Sequence, residues 1–154
     1  MDKSKLEEVW KAHIDAEFLH HDVEAAIATM TDDAFVENVP TGLGGKGKSG
    51  VRAFYSTSFV NCLPDDMTAE LRDRVVGESA IVDELHHTFT HSKQMDWMLP
   101  GVAPTNKKVV IDIVAVIYFR GDKICGERIY WDQASVLRQV GLLTLSRPAQ
   151  AAHQ

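Results

Sequence analysis

The chain has 154 residues, of which 45% are hydrophobic and 25% are charged. This length suits one domain with one core, and the composition is that of a globular chain rather than a disordered or fibrous one. Acidic residues outnumber basic ones by 22 to 16, which gives a net charge of -6. Because no basic block interrupts this acidic balance, the sequence argues against a nucleic acid partner.

No segment predicts a membrane anchor or an export signal. The longest apolar run, 113–119, is far too short to cross a bilayer, and the N-terminus leads directly into a charged helical segment. The two cysteines, Cys62 and Cys125, have neither metal-type nor Cys-x-x-Cys spacing, so we expect free thiols in a reducing compartment. Together these features predict a cytoplasmic location.

The first third of the chain has helical periodicity. One buried helical stripe is predicted by four side chains spaced four residues apart: Leu6, Trp10, Ile14 and Phe18. Asp22 is a suitable N-cap for a second helix, and Ser49 can cap a third after a glycine-rich loop. Between these helices, residues 34–39 alternate polar and apolar side chains, as a half-buried strand does.

Beyond Pro64 the period changes to that of strands. We predict strands at about 68–77, 80–91, 108–120 and 123–133, with a loop or lid at 95–104. Helices followed by a β-meander predict an α+β fold with the helices on one face of the sheet. A single domain is predicted over residues 1–145, and a polar, disordered tail over 146–154.

The segment 42–49 matches the phosphate-binding pattern G-x4-G-K-S letter for letter. Its glycine amides, Lys48 and Ser49 can in principle hold phosphates and magnesium, so a nucleotide binder is one alternative. The pattern belongs after a buried parallel strand, however, whereas the preceding strand carries Glu37 and Asn38. A flexible glycine loop that leads into a helix is the simpler interpretation.

Two groups of short motifs resemble a known family. The run 32–38 and then 47–55 is similar to the nuclear-transport-factor-2-like superfamily, whose members are cone-shaped α+β domains. The segments 99–105, 119–124, 130–133 and 137–141 resemble the SnoaL-like polyketide cyclase branch. The resemblance covers about residues 4–143. It implies a curved antiparallel sheet packed on N-terminal helices, a cystatin-like roll, with a pocket at the wide end.

The resemblance also implies roles for single residues. In the cyclases an aspartate near the end of the last strand acts as acid and base, and Asp132 occupies that place. Ketosteroid isomerases carry their base where this chain has Asn38 and their oxyanion-holding tyrosine where it has Ile14. The Arg and Asp of limonene epoxide hydrolases fall at Leu85 and His87. These departures argue against either of those mechanisms.

Further candidates come from the residues themselves. Arg128, Tyr130 and Asp132 share one face of the last strand, so all three line the pocket if Asp132 does. Asp132 is equally well explained as a capping residue or as a partner of Arg128. His87 is our second acid/base candidate, because an imidazole suits proton transfer near neutral pH. The predicted catalytic residues are therefore Asp132, His87 and Tyr130.

Several side chains can line an apolar pocket. The predicted substrate-binding residues are Ile14, Phe18, Asn38, Tyr55, Trp97 and Arg128. We predict no metal and no cofactor. His87 and His91 share a strand face, but four residues of strand separate them by about 13 Å, which is too far for both to bind one zinc ion. His13 and Glu17 have helical spacing that can ligate, but we interpret them as a solvated face.

The segment 109–119 is apolar on both faces, which predicts a second copy of the chain over the outer sheet surface. The leading hypothesis is a cofactor-independent enzyme acting by acid/base chemistry on a small carbonyl or polyketide-like compound, of cyclase, isomerase, dehydratase or hydrolase type. A non-catalytic protein that binds a hydrophobic ligand, or a dimeric interaction module, is the alternative from another class.

Overall fold

The computed structural model describes residues 2–144, which form one mixed α+β architecture. The helices are α1 (Lys3–Ile14), α2 (Val23–Ala28), α3 (Gly47–Phe54) and α4 (Gln133–Gln139). The strands are β1 (Met30–Asn38), β2 (Leu43–Lys46), β3 (Thr68–Val76), β4 (Ala80–Thr90), β5 (Lys108–Arg120) and β6 (Lys123–Trp131). The predicted fold class is confirmed. The predicted boundary at residue 145 and the predicted tail lie outside the described residues.

The six strands form one curved, unclosed sheet in the order β2-β1-β6-β5-β4-β3. All neighbouring pairs are antiparallel except β1 and β6, which run parallel. In β5, buried and more exposed side chains alternate along most of the strand, because successive side chains point to opposite faces of a sheet. The helices cover the inner face, and the outer face carries exposed apolar side chains such as Val110 and Val114.

Two helices continue into wider, π-helical turns. The chain passes from α1 into a π-helical segment at Asp15–Leu19, and from α3 into another at Tyr55–Phe59. Asp22 then caps α2 by accepting a hydrogen bond from the amide of Ala25 at 3.0 Å, as the sequence predicted. π-helical turns are rare and occur frequently at functional sites, so their position in this fold is informative.

The glycine-rich segment has a different structure from the predicted flexible loop. Leu43–Lys46 is an edge strand that pairs antiparallel with β1. At Gly44 a Cβ atom would lie 1.9 Å from the carbonyl oxygen of Val36, so the strand pairing here requires glycine. The third helix begins at Gly47, not after Ser49, and Lys48 pairs with Asp32 at 3.1 Å. This topology is that of a β-hairpin and not of a phosphate-binding loop, so the segment 42–49 does not have the structure on which the nucleotide-binding alternative was based.

The loop between β4 and β5 is part of the core. Met95, Met98 and Leu99 are fully buried, and Trp97 is buried against Phe59 and Trp131 with edge-to-face ring contacts. Gln133 donates a hydrogen bond to the carbonyl of Met98 at 2.8 Å. The loop is therefore a packed wall and not a lid. None of the described helices combines the length and apolar character needed to span a membrane.

Candidate functional site

A cavity of about 460 Å³ lies between the helices and the inner face of the sheet. Its wall is mostly apolar and includes six aromatic side chains: Trp10, Phe18, Phe54, Tyr55, Phe59 and Trp97. Both π-helical turns border it, and the volume lies within the range of small-molecule sites. No lysine or arginine lines it within residues 2–144. This cavity is the candidate site.

Four buried polar side chains meet at the wall of this cavity: His13, Glu17, Tyr55 and Glu127. The Nε2 atom of His13 lies 3.1 Å from Oε1 of Glu17 and 3.1 Å from Oε1 of Glu127. The hydroxyl of Tyr55 lies 3.1 Å from the same nitrogen and donates to Oε1 of Glu127 at 3.3 Å. We call these four residues the carboxyl cluster. Glu17, Tyr55 and Glu127 line the cavity directly.

The ring of His13 is held from its other side. Its Nδ1 atom lies 2.7 Å from the hydroxyl of Thr29 and 3.2 Å from the carbonyl oxygen of Ala26. The Thr29 hydroxyl itself donates to the Ala26 carbonyl at 2.7 Å, so it can only accept from the histidine. Nδ1 therefore carries a proton, and Nε2 is directed at the two carboxyl groups.

Electrostatics keep this imidazole charged. Burial alone would lower the pKa of His13, but the charges of Glu17 and Glu127 outweigh it and raise that pKa to about 10. Burial raises the pKa of Glu17 above its ordinary value, and His13 offsets only part of this. Burial and the two carboxylates raise the pKa of Tyr55 well above its ordinary value, so its hydroxyl stays protonated. One imidazolium thus faces two buried carboxyl groups, and burial favours the neutral form of Glu17.

His87 is a second polar group on the cavity wall. It lies on β4, only 5% exposed, opposite Ala69 of β3 and Ile111 of β5. Burial, with a smaller contribution from His86, lowers the pKa of His87 to about 4, so its imidazole is neutral near pH 7. Its Nδ1 atom is shielded from solvent and has no hydrogen-bond partner.

The predicted site residues divide into two groups. Six of them line the cavity: Ile14, Phe18, Asn38, Tyr55, Trp97 and His87. Asn38 also donates to the carbonyl of Leu43 at 3.2 Å, so its amide joins β1 to β2. The structure therefore brings together residues from the first helical stripe, the π-helical turn after α3, β1, β4 and the 95–104 loop.

Three residues predicted on β6 and just beyond it lie elsewhere, which corrects the expected geometry. Asp132 is exposed and caps α4 by accepting from the amide of Ser135 at 3.2 Å. Tyr130 is 40% exposed on the outer face of the sheet. Arg128 lies on the same outer face, 5.0 Å above the ring of Phe35 and 2.9 Å from Glu37. None of the three lines the cavity.

The carboxyl cluster contains the residues that the sequence interpretation missed. His13 and Glu17 were expected to be solvated, yet both are buried. The signal was present, because residues 6, 10, 13 and 17 also form a helical stripe, and two of its four members are ionisable. Glu127 was missed because a β-bulge in β6, at Cys125, changes which residues after it face inward.

The cluster also has donors of the right kind for a metal ion. Donor atoms of His13, Glu17 and Glu127 lie within 4.8 Å of one another, the one such group within residues 2–144. A metal-bound histidine normally has its second nitrogen hydrogen-bonded, as Nδ1 is here. The hydrogen bonds above account for the same contacts with protons alone, and the absence of a metal stays a prediction.

Comparison with known proteins agrees with the fold. The family model of the SnoaL-like domain matches residues 10–127 of the sequence. A search of the curated proteins gave no match. A protein assigned to the SnoaL-like polyketide cyclases, from Jannaschia sp. CCS1, is 14% identical with a TM-score of 0.75, over 92% of this chain and 94% of that one.

Two further structures are similar. SalBIII, an epoxide hydrolase/cyclase-like enzyme with a role in pyran ring formation in salinomycin, is 21% identical with a TM-score of 0.64, over 85% of this chain and 93% of that one. A protein of ketosteroid isomerase-like fold from Catenulispora acidiphila, in complex with trimethylamine, is 13% identical with a TM-score of 0.67, over 88% and 94%. The fold is one associated with polyketide cyclases and isomerases. Since the family model spans most of its length, the chain belongs to the SnoaL-like domain family.

Proposed function

We propose that this protein is an enzyme that moves protons on a small, apolar carbonyl or polyketide-like compound bound in the cavity. The single observation that supports this is the carboxyl cluster, in which two buried carboxyl groups and one imidazolium meet at the wall of an apolar cavity. A general acid or base works best when its pKa lies near the working pH, and burial of Glu17 shifts its pKa in that direction.

The two carboxyl groups supply complementary roles. Glu127 accepts a hydrogen bond from Tyr55 and faces His13, contacts that stabilise a carboxylate, so we assign it the role of the base. Glu17 is the better acid, because burial favours its neutral form. In the simplest step, Glu127 removes a proton from the carbon next to a carbonyl while the O–H bond of protonated Glu17 breaks and its proton is delivered to the carbonyl oxygen. The C–H bond breaks, an O–H bond forms, and the product is an enol.

This step is common to several reaction types. An enol can be reprotonated at another carbon, can attack a second carbonyl to close a ring, or can eliminate a β-hydroxyl. Isomerase, cyclase and dehydratase chemistry therefore all fit the same cluster. Two proteins of similar fold support a small-molecule substrate: SalBIII has a role in pyran ring formation, and the Catenulispora acidiphila protein holds trimethylamine. A cytoplasmic location and a homodimer remain part of the proposal.

The experiment is hydrogen exchange on a probe ketone. 2-Tetralone is uncharged, fits the cavity volume and has exchangeable protons next to its carbonyl. We expect the protein in D₂O to accelerate the loss of those proton signals, followed by NMR, well beyond the buffer rate. Glu127→Gln should reduce this acceleration by about 100-fold or more, the usual contribution of a positioned base. The matched control is Glu84→Gln, on an exposed residue of β4, which should behave as wild type.

A binding protein gives a different result. If the wild-type protein binds 2-tetralone and related ketones but exchanges no protons above the buffer rate, the non-catalytic alternative is correct. Exchange that survives in a folded Glu127→Gln variant would remove the cluster from the mechanism. A divalent ion bound by wild type and lost in that variant would assign the cluster to a metal instead.

A further inference from the structure

The charges around the cavity restrict what it can accept. The carboxyl groups that line the cavity contact basic residues outside the lining: Asp15 pairs with Lys11, Asp65 with Lys93 and Asp83 with Arg74, and the two cluster carboxyls share His13. Since no lysine or arginine lines the cavity within residues 2–144, an anionic ligand would find no permanently charged cation among the lining residues. Burying an unpaired charge is costly, so a carboxylate or phosphate ligand is disfavoured.

Two residues that line the cavity have polar groups without a hydrogen-bond partner within residues 2–144, Trp97 and His87. The indole nitrogen of Trp97 is shielded, whereas only one of the two ring nitrogens of His87 is, so the imidazole of His87 is the group that a ligand can reach. Neither ring nitrogen makes a hydrogen bond to any residue of 2–144, although Asn38 and the cluster residues on the same cavity wall all do. A buried polar group without a partner is unusual in a folded protein and costs stability. On the wall of a cavity, such a group points to a ligand.

The surroundings of the two ring nitrogens of His87 indicate which of them carries the single proton of the neutral imidazole. Nδ1 is shielded from solvent and unpartnered, whereas Nε2 is not among the shielded atoms. A buried N–H without an acceptor is costlier than a buried lone pair without a donor, so the proton belongs on Nε2. The cavity therefore receives an N–H donor from β4.

We propose that Nε2–H of His87 donates a hydrogen bond to an acceptor oxygen of an uncharged ligand, which makes His87 the residue that recognises a carbonyl, epoxide or ether oxygen. The inference rests on the proposed function in treating this cavity as the substrate site. Together with the absence of lining basic residues, it specifies a neutral, oxygen-bearing compound and not a free acid.

Three naphthalenes of nearly equal shape test this. 2-Acetylnaphthalene carries the acceptor oxygen, 2-isopropenylnaphthalene replaces it with a CH₂ group, and 2-naphthoate carries a charge. Equilibrium dialysis with the full-length protein measures each Kd at pH 7.5. We expect the ketone to bind about tenfold more tightly than the alkene, the usual effect of one hydrogen bond, and naphthoate to bind at least tenfold more weakly than the ketone.

Variants then assign the preference to one residue. His87→Phe should bring the ketone-to-alkene ratio close to one, while His87→Gln should retain it, because its amide can still donate. His86→Gln, on the neighbouring residue of the outer face, is the control and should keep the wild-type ratio. Equal affinities for ketone and alkene in wild type, or tight naphthoate binding, would overturn the proposal even if every His87 variant failed to fold.

These ratios are independent of turnover. Loss of proton exchange with an intact ketone preference would contradict the proposed reaction alone. A missing preference with normal exchange would contradict the role of His87 alone.

Discussion

His13 and Glu17 lie one helical turn apart, and their side chains meet inside the protein, with Nε2 and Oε1 separated by 3.1 Å. The π-helical turn that begins at Asp15 carries Glu17 on the inner side of the chain, where both residues are buried. A buried ion pair must recover the free energy of desolvation through good geometry and further hydrogen bonds. Here Thr29, Tyr55 and Glu127 supply those contacts.

Removing the imidazole should therefore destabilise the fold. His13→Leu leaves two buried carboxyl groups without a counter-charge, and we expect a loss of about 3–5 kcal/mol in the free energy of unfolding. Urea denaturation followed by circular dichroism measures it. His20→Leu, on an exposed residue just after the same helical region, should change stability little. A His13→Leu variant as stable as wild type would show that the pair is not formed.

Stability should also fall on the alkaline side. The pKa of His13 is raised from 6.5 to about 10, so its contribution is complete below pH 6.5 and is lost as the pH rises toward 10. The raised pKa of Glu17 acts in the same direction, because the folded state holds its proton more tightly. We expect the urea midpoint to decrease between pH 6.5 and pH 9.5. A midpoint that rises over this interval would contradict the described charges.

His87 should limit stability on the acid side. Its pKa is lowered to about 4 by burial, so the unfolded chain binds a proton more readily, and stability is lost as the pH falls from 6.5 toward 4. Gln does not titrate, so His87→Gln should flatten this part of the stability profile. An identical acid profile in the two proteins would show that His87 is not the buried neutral group described.

Asp132 has a structural role that is separable from chemistry. Asp132→Ala removes the N-cap of α4 and should cost about 1 kcal/mol, whereas Asp132→Asn keeps a capping side chain and should cost less. The rate at which 2-tetralone exchanges the protons next to its carbonyl should be unchanged in both variants. A folded Asp132→Asn variant that loses exchange about 100-fold would restore the role that the family resemblance implies.

The comparison of Asp132 with Glu127 shows what the sequence can and cannot predict. The strand-like character of the chain beyond Pro64 located β3, β4, β5 and β6 to within two residues. In β6, however, the pairing with β5 shifts between Tyr118 and Phe119, and Cys125 is the extra residue. Beyond this bulge the buried positions change from even to odd numbers, so Glu127 faces inward and Asp132 does not. No local pattern announces such a shift.

The helical half shows the same limit. Periodicity predicted a buried stripe that includes Ile14 and Phe18, and both line the cavity together with Tyr55, while their role in binding a substrate stays a prediction. It did not predict the two π-helical turns, which rotate the side chains that follow them. In the sequence the stripe at residues 6, 10, 13 and 17 competes with the stripe at 6, 10, 14 and 18, and the structure shows that His13 and Glu17 are buried.

The predicted homodimer forms through the outer face of the sheet. Val114 lies on β5 between Glu84 and Tyr130 of the neighbouring strands and is 37% exposed. We expect light scattering to report twice the chain mass of 17.1 kDa, and Val114→Lys to convert the protein to monomers. Leu19→Lys, at the cavity mouth, should leave the dimer intact. A monomeric wild type would contradict a second copy on this face.

The most direct test of the carboxyl cluster is the rate of 2-tetralone exchange in Glu17→Gln, Glu127→Gln and the double variant. Residues that act as one unit have effects that do not add. We predict that each single substitution lowers the rate about 100-fold or more, and that the double variant is barely slower than the slower single one. A double variant that exchanges protons at the wild-type rate would contradict proton transfer by this cluster.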